Sequence, residues 1–144
     1  MRNAVLTPSL SQGEREGNEV TEEIDMSRPI NINLHQKSRV LEIEYEGGVI
    51  HQLPCEYLRV YSPSAEVTGH SPGSEILQLN KEEVTIDAIE PQGNYALKFV
   101  FDDKHDSGLY TWEYLYELGE AYEAKWQDYL ERLKAAGHER RKID

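Results

Sequence analysis

From Pro29 the chain alternates: Ile30, Ile32 and Leu34 are separated by Asn31 and Asn33, the period of a half-buried strand. In the stretch RVLEIEY, from Arg39, Leu41, Ile43 and Tyr45 share one face while Glu42 and Glu44 share the other. Glu46, Gly47 and Gly48 supply turn chemistry and VIHQL resumes the alternation at Val49, so residues 39–53 predict a β-hairpin. At Pro54 the period changes. Tyr57, Leu58 and Tyr61 fall at helical spacing, and a proline is tolerated in a first helical turn because its missing N–H has no partner to lose, so a short helix bounded by Pro63 is predicted. Residues 64–75, rich in Ser, Gly and Pro, predict a surface loop.

A second hairpin is predicted from Val84, Ile86 and Ala88, the turn PQGN, and Tyr95, Leu97, Phe99 and Phe101. Its bulky residues suit a position central to the sheet. DDKHDSG makes a polar connection, after which Thr111 offers an N-cap hydroxyl to a helix with Glu113 in its first turn. From Trp112 to Leu133 apolar residues recur at threes and fours opposite a charged face. Gly119 predicts a bend or break, since glycine inside a helix costs about 1 kcal/mol relative to alanine. Gly137 predicts the stop, with HERRK beyond it as a basic tail beside the negative end of the helix dipole. These elements predict an α+β fold: a small antiparallel-rich sheet of two hairpins, a short helix and a long C-terminal helical segment.

Composition sets the boundaries. The first 28 residues carry Glu14, Glu16, Glu19, Glu22, Glu23 and Asp25 without a sustained apolar period, and such a segment cannot bury enough surface to order itself. A disordered acidic tail over 1–28 and one folded domain over 29–140 are expected. With 15 Lys and Arg against 27 Asp and Glu, the net charge of -12 argues against nucleic acid as a ligand. No apolar run approaches the roughly 20 residues that cross a bilayer, and the start MRNAVLTPSL lacks a secretory signal pattern, so a soluble cytoplasmic protein is expected. One cysteine, Cys55, excludes an internal disulfide and a multi-thiolate zinc site within the chain. At a helix N-terminus its thiol could be activated, and a small buried apolar role is the simpler assignment. GHSPG at residues 69–73 matches the letters of GxSxG but stands in the predicted loop over 64–75, without the strand-to-helix elbow the motif requires; neither HExxH nor a phosphate-binding glycine loop occurs, and no nucleophile or cofactor motif supports an enzyme.

Asp102, Asp103, His105 and Asp106, beside Gly108, form the densest polar cluster. An imidazole among carboxylates can bind a divalent metal, act as a base, or simply satisfy a turn by hydrogen bonding. The metal candidates are His105 as anchor with Asp103 and Asp106 as oxygen donors, for iron or another divalent ion. An EF-hand loop starting at Asp102 fails, because its third position is Lys104 and its sixth Ser107. His35, His51 and His70 are scattered and are expected to be exposed. The Tyr and Trp stripe over 109–133 is broader than a small core needs, and tyrosines at its margin suit a docking or homodimer surface.

The stretches VLEIEYEGG, LPCEYLRVYSPSAEV, VTIDAIEPQGNYALKFVFDDKHDSGLYTWEYLYELG and KWQDYLERLKAAGHERR resemble the small bacterial DUF971 proteins, the gamma-butyrobetaine hydroxylase-like N-terminal domain, over about residues 29–140. The resemblance implies a small α+β domain that occurs alone, at the N-terminus of 2-oxoglutarate and iron-dependent hydroxylases, and attached to Mrp-type ATPases that carry iron–sulfur clusters. In the hydroxylases it holds a structural zinc through three cysteines and a histidine. Laid over LRVYSPSAEV, that motif puts Ser62, Ser64 and Val67 at the thiolate positions and the histidine at His105. Hydroxyls and a valine cannot stand in for thiolates, so this zinc site is not expected here. The expected function is a non-enzymatic accessory or interaction domain linked to iron or iron–sulfur metabolism, with iron–sulfur carrier proteins as partners. The alternative is a metal-binding protein built on His105.

Overall fold

A computed structural model describes residues 28–71 and 73–141, so the acidic stretch over 1–27 lies outside the described residues. β1 (Pro29–His35), β2 (Val40–Tyr45) and β3 (Ile50–Pro54) form one antiparallel sheet in that order; β4 (Ile86–Gln92), β5 (Ala96–Phe101) and β6 (Leu109–Thr111) form a second, also in chain order. Both predicted hairpins are present, β2–β3 and β4–β5. The second is not central to a shared sheet, however. Each hairpin recruits the neighbouring strand instead, and the aromatic strand β5 is central only to its own sheet.

The alternation in β2 buries Leu41, Ile43 and Tyr45. In β1 a register slip between Pro29 and Asn31 turns Ile30 outward, 55% exposed, while Ile32 and Leu34 pack on the core. Such a bulge shifts the side chains before it to the other face, which period alone does not reveal. Four helices complete the domain: α1 (Cys55–Val60), α2 (Ala65–Thr68), α3 (Trp112–Glu120) and α4 (Tyr122–Ala135). Every residue of α1 is buried, including Glu56 and Arg59, so this helix is the hub and its charges require partners. Pro63 does separate α1 from the next segment, but the predicted loop over 64–75 begins with α2. The Ser64 hydroxyl caps it by accepting the Glu66 N–H at 3.1 Å.

Thr111 caps α3 as its sequence position suggests, accepting from the Tyr114 N–H. The break between α3 and α4 falls at Ala121, not Gly119, which lies within α3. Gly137, at φ +75°, ends α4 with a pair of reverse bonds, Gly137 N–H to Lys134 O and His138 N–H to Leu133 O, both 3.0 Å. The basic tail also pairs with buried carboxylates. Arg140 binds the Glu56 carboxylate and Arg141 binds Glu82, whose side chains are 6% and 2% exposed. Several tyrosines act as internal struts. Tyr57 donates to Leu118 O, Tyr61 to Lys125 O, Tyr110 to Leu58 O and Tyr129 to Gln78 O, tying α1 and the segments around it to β6 and the C-terminal helices.

Candidate functional site

The polar connection after β5 folds back at once. Phe101 N–H bonds His105 O at 3.0 Å and Lys104 N–H bonds Phe101 O at 3.0 Å, with Lys104 in the left-handed region at φ +72°. This tight turn aims His105 inward, to 5% exposure, and leaves Asp106 exposed with no side-chain partner among the described residues. The Asp103 carboxylate faces away from the imidazole. Its Oδ2 accepts from Arg59 Nε at 2.9 Å and from Lys81 Nζ at 2.7 Å, and its Oδ1 takes the backbone N–H of His105 at 3.2 Å. Burial opposes its ionised form, yet these cations and the N–H hold its carboxyl below the ordinary range.

The ring of His105 is met from the other side of the chain. Its Nε2 lies 2.8 Å from Ser62 Oγ and its Nδ1 lies 2.9 Å from Glu66 Oε1. Burial first, and then the Arg59 guanidinium, lower the pKa of this imidazole below its usual value against the pull of Glu66. In the neutral ring Nδ1–H donates to Glu66 and Nε2 accepts from Ser62, whose oxygen in turn accepts the Ser64 N–H at 3.2 Å. The candidate triple of His105, Asp103 and Asp106 is therefore not brought together, and among the described residues no group of three or more His, Cys, Asp or Glu is placed to hold a metal ion. Glu66 is the partner that reading along the sequence missed.

Hydroxyl, imidazole and carboxylate occur here in the order of a hydrolase triad. Ser62 is 0% exposed, though, and Gly108 closes on it so tightly that a Cβ there would collide with Ser62 Oγ. The array pins the α1–α2 link, through Ser62 and Glu66, to the turn at 102–108. Ser62 and Ser64, at the positions where the resemblance puts zinc thiolates, do meet this turn, Ser62 at His105 and Ser64 Oγ at Ser107 Oγ, 2.6 Å away. Val67 adds only an apolar side chain, 6% exposed. Both His105 nitrogens are already engaged and no thiolate is at hand, so these residues do not fit zinc. Cys55, fully buried as the first residue of α1, has its thiol pushed up to about 11 by burial, the reverse of activation.

A different histidine lines an open groove. His51, expected to be exposed, is 9% exposed; its Nε2 lies 2.8 Å from Glu120 Oε2 and its ring packs at 5.2 Å from both Tyr45 and Tyr116. His51 Nδ1 and the buried Tyr45 hydroxyl have no hydrogen-bond partner among the described residues, and burial raises the Tyr45 pKa well above that of an ordinary phenol. The groove beside them, about 770 Å³, runs between β3, through Ile50, His51, Gln52 and Leu53, and the α3–α4 elbow, through Gly119 to Ala124.

Fold and site together define a small α+β module whose polar clusters are bonded internally and whose open surface lies along a strand edge. The chain belongs to the gamma-butyrobetaine hydroxylase-like N-terminal family, whose model matches residues 32–116. Two NMR solution structures resemble it closely. One is 48% identical, with 83% of this chain and 94% of that chain covered and a TM-score of 0.71. The other is 46% identical, covering 87% and 93%, also with a TM-score of 0.71. A crystal structure of a DUF971-family protein of unknown function from Acidithiobacillus ferrooxidans is 33% identical, covers 67% of this chain and 98% of its own, and has a TM-score of 0.57. Among curated proteins none matches. No helix of the described residues is long and apolar enough to cross a membrane.

Proposed function

We propose that this chain is a non-enzymatic accessory domain that acts by binding another protein along the outer side of β3. The observation that supports this reading is the open groove of about 770 Å³ between β3 and the α3–α4 elbow, beside a strand that among the described residues pairs on one side only. An unpaired edge is a ready template for another chain, and proteins usually cover or charge one that has no use. Ile50, 51% exposed, stands on it instead. The His105 imidazole and the Asp103 carboxylate are themselves engaged by Ser62, Glu66, Arg59 and Lys81. The resemblance to a domain that accompanies iron- and iron–sulfur-handling proteins makes iron–sulfur carrier proteins the partner class to test first.

The test is direct binding of purified iron–sulfur carrier proteins, and of proteins captured from native extract, to the full chain and to its Ile50→Asp variant. Specific binding that Ile50→Asp abolishes, with an unchanged melting temperature, is the expected result. Equal binding by both would show that the β3 surface plays no part in it.

A further inference from the structure

Among the described residues β3 is the last strand of its sheet and pairs with β2 alone, with Ile43 opposite His51 and Leu41 opposite Leu53. The phase of the ladder is set at its two ends, where Tyr45 N–H bonds Val49 O at 2.8 Å and Cys55 N–H bonds Arg39 O at 2.9 Å. Antiparallel partners alternate between bonded and non-bonded pairs. His51 and Leu53 therefore exchange bonds with β2, while the N–H and C=O groups of Ile50 and Gln52 point the other way, where no described residue takes them. Consecutive residues of β3, Ile50 to Leu53, line the groove irrespective of the face their side chains take, so it is the strand's edge that runs along it. The facing wall carries Glu120, its side chain 56% exposed, and the exposed Glu123, and no Lys or Arg lines the groove.

From this geometry we infer that the groove receives an extended basic segment of a partner protein, which adds a strand to β3 and sets Lys or Arg against Glu120 and Glu123. The inference rests on the protein-binding reading above and specifies its chemistry. A guest residue bonded to Ile50 or Gln52 turns its side chain to the Ile50 face, where exposed Ile50 favours valine or isoleucine. The residues between turn to the His51 face, toward the two carboxylates. The motif is an alternation of branched apolar and basic residues. The chain's own stretch from Glu14 to Asp25 has the wrong charge for that wall, and β3 of a second copy, IHQLP, offers no Lys or Arg.

Fluorescence anisotropy with a labelled short peptide of alternating Val and Lys tests this on the full chain. Binding that weakens with salt, and no binding of the Val/Glu counterpart, is the expected result. Gln52→Pro deletes an outward N–H and spares the bonds to β2, a position where a strand tolerates proline; it should abolish binding at an unchanged melting temperature. Glu123→Lys, on the surface, should weaken binding about tenfold. Upon binding, the amides of Ile50 and Gln52 should gain protection from hydrogen exchange. Equal affinity for the Val/Glu peptide, or a Gln52→Pro variant that folds and binds normally, would overturn strand addition by a basic segment. So would a self-association in sedimentation that Gln52→Pro removes, since it assigns the edge to a second copy. If Ile50→Asp abolishes binding of a native partner while the Val/Lys peptide fails to bind the unaltered chain, protein binding stands and this inference falls.

Discussion

The imidazole of His51 lies so close to Gly119 that a Cβ on that glycine would stand 2.0 Å from its Nδ1. Helix propensity and packing then make opposite predictions for Gly119→Ala. Propensity alone would stabilise α3 by about 1 kcal/mol. Displacing a buried ring and its 2.8 Å contact with Glu120 should instead cost roughly 1–3 kcal/mol. A lowered denaturation midpoint is expected, and a raised one would show that His51 moves aside freely.

His105→Ala should destabilise the domain by about 2–3 kcal/mol, because Ser62 is left buried without its partner and Glu66 loses its anchor. The same variant probes the metal reading. Calorimetric titration with ferrous iron or zinc should give equal heats for the unaltered chain and for His105→Ala; stoichiometric uptake that the variant loses would restore His105 as a ligand.

Acid should weaken the fold in two steps. Burial and Arg59 lower the His105 pKa in the native state, while the unfolded ring titrates near 6.5, so between those values the unfolded chain binds the extra proton. This contribution is whole above about pH 6.5 and falls as the pH drops toward the native value. The second step lies lower. Asp103 and Glu82, held below their ordinary values by their cations and N–H donors despite burial, stabilise the fold above about pH 4 and cease to as the pH falls through their native values. Stability measured against pH should lose only the upper step in His105→Gln. A slope unchanged between pH 7 and 5 would mean that another group is responsible.

Truncation after Gly137 should cost more than Arg140→Ala alone, since it strands both Glu56 and Glu82 beneath the surface. Breaking one buried pair costs about 3–5 kcal/mol, and Arg140, about a third exposed, places its own replacement nearer 2 kcal/mol. Arg140 also stacks 5.4 Å from the Trp126 ring, so quenching of tryptophan fluorescence should change with it. An unaltered melting temperature in the truncated chain would show that both carboxylates reach water without the tail.

What could be read along the chain is what depends on neighbours in sequence. Alternation set the hairpins, a hydroxyl at Thr111 started α3, and the left-handed tolerance of Gly137 ended α4. His105 was legible as a notable residue for the same reason, standing among local carboxylates. Ser62, 43 positions away, was set beside it only by the family resemblance, and Glu66, 39 positions away, was not legible at all, because a tight turn decides which way the ring points and the α1–α2 link decides what it meets. His51 makes the point from the other direction. Period assigned it to one face of β3, but only the arrival of α3, with a glycine at the point of contact, buries that face and joins it to Glu120, 69 positions on. Local backbone preferences act over a few residues and leave their mark in the sequence; the pairing of buried polar groups depends on how separate elements pack, and that packing exists only in the folded chain.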